Sequence, residues 1–77
     1  MIIREDKNTY TGLRFELDAV ESRKLFVIRR YHTEPVTEQS EFMNIFGITE
    51  TEVEDEELIF NDFFEANNVY SDWLIKY

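Results

Sequence analysis

The chain contains no cysteine, and this constrains how a sequence of only 77 residues can fold. Small domains commonly supplement a small core with disulfide bonds or zinc–thiolate sites, and neither is open to this chain. Its core must therefore consist of apolar side chains. The sequence supplies seven Phe, four Tyr and one Trp, and each such ring buries on the order of 150–250 Å². Because disordered chains are poor in aromatic residues, we expect a single folded domain over residues 1–77.

Charge is distributed unevenly along the chain. Residues 1–33 carry seven basic and five acidic side chains, a net charge of +2. Residues 34–77 carry twelve acidic side chains against Lys76 alone, a net charge of −11, and the densest stretch is 50–57. Such a half repels nucleic acid and anionic membranes and attracts basic protein surfaces. Solubility is the competing explanation, because acidic surfaces also keep proteins in solution.

Two stretches of the N-terminal half are predicted to form strands. Apolar and polar residues alternate over Tyr10–Leu17, which is typical of a half-buried strand. Asp18–Ser22 is predicted to be a turn. Lys24–Tyr31 is rich in β-branched and aromatic residues, and we expect it to be the more central strand of a hairpin. The pattern leaves open whether Met1–Ile3 adds a third strand.

The C-terminal half begins with signals for a helix. Residues 32–36 include Pro35, which cannot donate to a strand ladder, so we expect a connection there. A first helix is predicted over residues 37–46, with Thr37 as N-cap and Gly47 just beyond its end.

A second helix is predicted over residues 49–66. Thr49 as N-cap and Glu52 at the third helical position have the form of a capping box, which would place the crowded carboxylates in the first turns. Asn67–Asn68 is predicted to end this helix. The last segment, Val69–Tyr77, fits either a helix capped by Ser71 or an edge strand, and we favour the helix.

Together these elements predict an α+β fold in one small domain. An N-terminal antiparallel β-hairpin, with three strands if Met1–Ile3 is included, is expected to pack on two to three C-terminal helices. The β-rich part, residues 1–33, is mildly basic, and the helical part, residues 34–77, is strongly acidic.

We expect no enzyme activity, no cofactor and no metal. The recognition helix of a DNA-binding helix-turn-helix points its first residues at phosphates, where this chain has four carboxylates among residues 50–55. A calcium loop needs a Gly at its turn, and residues 50–57 contain none. His32 is the one histidine, and no nucleophile motif accompanies it.

The candidate binding residues belong to two groups. The candidate partner-binding carboxylates are Glu50, Glu52, Glu54, Asp55, Glu56, Glu57, Asp62 and Glu65. The second group is a candidate aromatic anchor formed by Tyr70, Trp73 or Tyr77, because Trp and Tyr are frequent hot-spot residues in interfaces. Burial of these three rings in the core is the alternative.

These features favour a protein-interaction domain that presents carboxylates in place of phosphates to the basic surface of a nucleic-acid-binding protein. In size and acidity the chain resembles phage-encoded anti-restriction and anti-CRISPR proteins, and the resemblance implies an inhibitor. The alternatives are an immunity protein or antitoxin that neutralises one basic toxin, and a structural or regulatory subunit of a larger assembly.

We expect no direct binding to nucleic acid or membrane, and the sequence leaves open whether the chain forms a homodimer. The sequence lacks a signal peptide and a membrane-spanning run, so we expect a cytoplasmic protein, in the host cell if phage-encoded.

Overall fold

The computed structural model describes residues 1–35 and 50–77. In these ranges the chain forms an antiparallel sheet with the strand order β1-β2-β3-β4, followed by a C-terminal helix. The elements are β1 (Ile2–Lys7), β2 (Arg14–Val20), β3 (Leu25–Pro35), β4 (Glu50–Phe60) and helix α1 (Phe63–Lys76). A single 3-10 turn at Glu21–Arg23 joins β2 to β3.

The predicted hairpin is present as β2 and β3, which pair in one continuous register with Leu17 opposite Ile28. The expectation that its second strand is the more central one is confirmed, because β3 pairs with β2 on one side and with β4 on the other. The open question about the N-terminus is also answered, since β1 is the third strand. Two boundaries were wrong. The turn begins at Glu21 rather than Asp18, and β3 continues to Pro35 through residues predicted to be a connection.

The predicted helix over residues 49–66 is wrong, because residues 50–60 form the edge strand β4. The fold with two to three C-terminal helices is therefore also wrong for the described residues, which contain one α-helix. The pairing with β3 places Glu57 opposite Arg29 and Glu56 opposite Arg30. Cross-strand pairs of opposite charge stabilise a sheet, so this tertiary pairing offsets the low strand preference of acidic residues.

A β-bulge in β4 hides the strand pattern in the sequence. The register shifts between Arg30, which faces Glu56, and Tyr31, which faces Glu54, so Asp55 has no partner in the ladder. One inserted residue moves the alternation of side chains to the opposite phase. Val53 and Leu58 therefore lie on the same face of the sheet, although they are five positions apart and regular alternation would place them on opposite faces.

Helix α1 begins after Asp62, whose carboxylate accepts the backbone N–H of Glu65 at 3.1 Å. An aspartate in this N-cap position satisfies a donor that the helix itself leaves unpaired. The favoured helix at Val69–Tyr77 is confirmed, but it starts earlier than Ser71. The predicted stop at Asn67–Asn68 is wrong, since the helix runs through both residues.

The core lies between α1 and one face of the sheet. Its buried members are Phe15 and Leu17 from β2, Ile28 from β3, and Ala66, Tyr70 and Trp73 from α1. The Tyr70 hydroxyl donates to Asp6 Oδ2 at 2.7 Å and to the Phe15 carbonyl oxygen at 3.3 Å, which ties the helix to both β1 and β2. Phe15, Tyr70 and Trp73 therefore supply the buried aromatic part of this core.

The predicted first helix over residues 37–46, with Thr37 and Gly47, and the predicted cap at Thr49 lie outside the described residues. Within residues 1–35 and 50–77, no helix has the length and apolarity needed to cross a membrane.

Candidate protein-interaction surface

The side chains on the sheet face opposite α1 form a network of charges. Strand alternation and the register bring together Arg14 opposite Tyr31, Glu16 opposite Arg29, and Arg29 opposite Glu57. The charged members of this face, with Tyr31 among them, are Glu5, Lys7, Arg14, Glu16, Asp18, Arg29, Tyr31, Glu50, Glu52, Glu54 and Glu57.

Glu16 is at the centre of the charged face, and its side chain is only 7% exposed. Its carboxylate accepts hydrogen bonds from Arg14 Nη1 at 3.0 Å, Arg29 Nη1 at 3.3 Å and the Tyr31 hydroxyl at 2.5 Å. Burial alone would raise the pKa of Glu16, but these three donors outweigh it and the pKa is lowered. For Tyr31, burial and the bond to Glu16 raise the pKa to about 12. Glu16 is therefore ionised at neutral pH and holds the network together.

Arg14 links the centre of the charged face to β4. Its Nε and Nη2 groups donate to the two carboxylate oxygens of Glu52 at 2.8 and 2.6 Å, a bidentate pair. Its guanidinium group lies over the Tyr31 ring, 4.2 Å from the centroid. The hydrogen bonds to Glu52 raise the pKa of Arg14, and those from Arg14 lower the pKa of Glu52. The position of Glu52 is therefore set by β2.

Arg29 holds a second part of β4. Its guanidinium lies 2.9 Å from Glu57, 3.6 Å from Glu54 and 3.2 Å from Asp18. Asp18 also accepts a hydrogen bond from the amino group of Met1 at 2.8 Å. Six carboxylates thus surround two guanidinium groups and the amino terminus. With Lys7 and Glu50, which the register also places on this face, three negative charges stay in excess.

A histidine cluster lies on the other face, near the end of β3. His32 Nε2 contacts Glu34 at 2.7 Å, and His32 Nδ1 contacts Asp55 of the bulge. The hydrogen bond to Glu34, together with the one to Asp55, raises the pKa of His32 above 6.5. An imidazolium can donate to both carboxylates, whereas a neutral ring has one N–H.

Arg30 reaches from the centre of β3 toward the C-terminus. Its guanidinium stacks on the Tyr77 ring, 3.9 Å from the centroid, and lies 3.9 Å from Asp55 and 4.0 Å from Glu56. Among the described residues, its buried Nε and Nη1 atoms have no hydrogen-bond partner. Arg30 therefore offers these two carboxylates a nearby charge without a close hydrogen bond.

The structure divides the predicted partner-binding carboxylates into two groups. Six of them lie on the edge strand β4 rather than on a helix: Glu50, Glu52, Glu54, Asp55, Glu56 and Glu57. We call these six residues the acidic edge. Asp62 and Glu65 lie instead at the start of α1, where Asp62 is occupied with capping. The sequence interpretation missed Arg14, Glu16 and Arg29, whose roles depend on strand register.

Two of the three residues of the predicted aromatic anchor are buried rather than exposed at the surface. Tyr70 and Trp73 are 0% and 5% exposed and belong to the core, which is the alternative that the sequence left open. Tyr77 is half-buried under Arg30. Among the described residues, the exposed aromatic ones are instead Tyr10 in the β1–β2 turn and Phe63 and Phe64 in the first turn of α1.

Within residues 1–35 and 50–77, clefts lie at the ends of two β-hairpins. One, of about 470 Å³, includes Val20, Leu25 and Phe26, and the other, of about 360 Å³, includes Asn8 and Tyr10. In the part of the chain that the structure describes, no group of three His, Asp or Glu residues is arranged to hold a metal ion. No protein family model matches the chain, and no curated protein or solved structure matches it.

Proposed function

We propose that the chain is a non-catalytic interaction domain whose acidic edge binds the basic surface of a nucleic-acid-binding protein in place of phosphates. We further propose that it acts in the cytoplasm as an inhibitor of the anti-restriction or anti-CRISPR type. The observation that carries the proposal is the line of six carboxylates within eight consecutive residues of one strand, 50–57.

The spacing of these carboxylates supports the proposal. A strand rises about 3.3 Å per residue, so residues 50–57 extend over about 23 Å and carry one charge per about 4 Å. One strand of DNA carries one phosphate per about 3.4 Å of helix axis. The acidic edge therefore approaches the linear charge density that a basic nucleic-acid groove is built to bind.

The ion pairs of the charged face also support it, although they reduce the free charge. Arg14 and Arg29 hold Glu52 and Glu57 at 2.6–2.9 Å, so these carboxylates are fixed before a partner arrives. Fixed groups lose less conformational entropy on binding. The excess of three negative charges on the charged face, to which the exposed Glu50 contributes, leaves a field that attracts a basic surface.

The test is capture of partners from a nuclease-treated lysate of the native cell by the immobilised chain, followed by mass spectrometry. The doubly reversed variant Glu50→Lys/Glu54→Lys changes the acidic edge. The matched control Glu21→Lys/Asp72→Lys makes the same change in net charge at exposed positions of the 3-10 turn and of α1. Thermal melts establish that both variants fold.

We expect the wild-type chain and the control to capture nucleic-acid-binding proteins that duplex DNA displaces, and the edge variant to lose them. Capture that is indifferent to reversal of the edge would contradict the proposal. Capture of a single basic protein that DNA does not displace would favour the immunity-protein or antitoxin alternative instead.

A further inference from the structure

We propose that the acidic edge binds its partner by strand addition: an extended basic segment pairs with the outer edge of β4 as a fifth strand of the sheet. This inference rests on the proposed function and adds backbone pairing to its electrostatics.

First, the outer edge of β4 has the hydrogen-bonding groups that strand addition requires. Among the described strands β4 is at the end of the sheet order and pairs with β3 alone. In an edge strand every second residue points its N–H and C=O away from its neighbour, which makes a template for another chain. Proteins usually protect long edges with charged side chains, Pro or β-bulges, and the protecting charges of β4 are all carboxylates, which repel another acidic edge but not a basic strand. The 11 residues of β4 include no Lys, Arg or Pro, whereas the other edge strand, β1, has six residues and carries Arg4 and Lys7.

The second ground is the charge pattern, which selects the occupant. Glu50, Glu52 and Glu54 alternate with Thr51 and Val53, so the three carboxylates lie on one face of the strand. A second copy of β4 in antiparallel pairing centred on Glu52 would place Glu opposite Glu, and like charges directly opposite destabilise a sheet. A basic strand in the same place forms pairs of opposite charge. The edge therefore discriminates against self-pairing through β4 and favours a cationic peptide.

The third ground is the β-bulge at Asp55, which limits the paired length. A bulge interrupts the ladder, so regular pairing is expected over the five residues Glu50–Glu54. The complementary segment is then an extended one in which Lys or Arg alternates with β-branched or small residues. Its basic side chains lie opposite Glu50, Glu52 and Glu54.

The experiment uses three synthetic peptides of about nine residues, which span about 30 Å when extended. The first alternates lysine and threonine. The second has the same lysine side chains but proline in place of every threonine and N-methylated lysines, so that it keeps the charge and has no backbone N–H to donate to the ladder. The third alternates glutamate and threonine. Binding to the full chain is measured by calorimetry at low salt, and amide exchange of the chain is followed by NMR.

We expect the lysine–threonine peptide to bind at least about tenfold more tightly than the proline peptide, because only the former gains backbone hydrogen bonds. On binding, alternate amides among residues 50–54 should become protected from exchange. Equal binding of both lysine peptides without new protection would overturn strand addition and leave the proposed electrostatic function standing. If neither lysine peptide binds, or the glutamate peptide binds as well as they do, both proposals fail.

Discussion

The charged face predicts a large difference between two glutamates that bind the same arginine. Glu16 and Glu57 both accept hydrogen bonds from Arg29, at 3.3 and 2.9 Å. Their side chains differ in exposure, 7% for Glu16 and 40% for Glu57. We predict that Glu16→Gln destabilises the fold much more than Glu57→Gln, although Glu57 makes the shorter bond.

The magnitude follows from the contacts. Glutamine at position 16 retains an acceptor for Tyr31 but loses the charge that two guanidinium groups face. A hydrogen bond to a charged group contributes about 1.5–3 kcal/mol, and breaking a buried ion pair costs about 3–5 kcal/mol. Arg14 and Arg29 keep Glu52 and Glu57 as partners and are 23% and 21% exposed, so we expect a smaller loss, of about 2–3 kcal/mol. For the exposed Glu57 we expect a loss of at most about 1 kcal/mol.

Urea unfolding followed by circular dichroism at neutral pH measures both losses. At about 4–8 °C per kcal/mol for a chain of this size, Glu16→Gln should lower the melting temperature by about 10–20 °C. Equal effects of the two substitutions would refute the reasoning, because they would show that burial of the carboxylate does not decide its contribution.

Glu16 also makes the free energy of unfolding depend on pH in the acidic range. The pKa of Glu16 is lowered from 4.5, so its contribution is fully present above that value and is lost as pH falls through the lower folded-state pKa. The wild-type chain should therefore lose more stability than Glu16→Gln as the pH falls below 4.5. Parallel pH profiles of unfolding free energy for the two chains would contradict this assignment.

Three further predictions concern α1 and the histidine cluster. Tyr70→Phe removes the hydroxyl that donates to Asp6 at 2.7 Å and should reduce the free energy of unfolding by about 1 kcal/mol; no loss in denaturant unfolding would exclude a stabilising bond. Asp62→Ala should lower stability by about 1 kcal/mol in thermal melts while Asp62→Asn is nearly neutral, because Asn also caps helices; equal losses would rule out capping. The NMR titration midpoint of His32 should lie above 6.5 and fall in Glu34→Gln; an unchanged midpoint would show that Glu34 does not raise this pKa.

The N-terminal hairpin could be predicted because its pattern is local. Leu13, Phe15 and Leu17 alternate with charged residues, and the centre of β3 is rich in the β-branched and aromatic residues that favour strands. The charged partners on the opposite face could not be predicted in the same way. Alternation places Arg14 and Glu16 on one face of β2, but their ion pairs depend on the register with other strands.

Strand β4 could not be predicted because its stabilising contacts are remote in sequence. Arg29 and Arg30, which offset its carboxylates, precede them by more than 20 residues. The bulge at Asp55 conceals the alternation, and the Thr-x-x-Glu motif ending at Glu52 has the form of a helix start. Local signals therefore favoured a helix where cross-strand pairing forms a sheet edge.

The salt dependence of binding tests the central claim, that carboxylates of the acidic edge take the place of phosphates. The measurement is the affinity of the captured partner for the wild-type chain, for Glu50→Lys/Glu54→Lys and for the control Glu21→Lys/Asp72→Lys, between about 50 and 200 mM salt. We predict that wild-type and control affinities fall together by at least about tenfold over this range, and that the edge variant binds weakly with a shallower dependence. An affinity that barely changes with salt, or a slope that the edge variant shares with the wild type, would contradict the account.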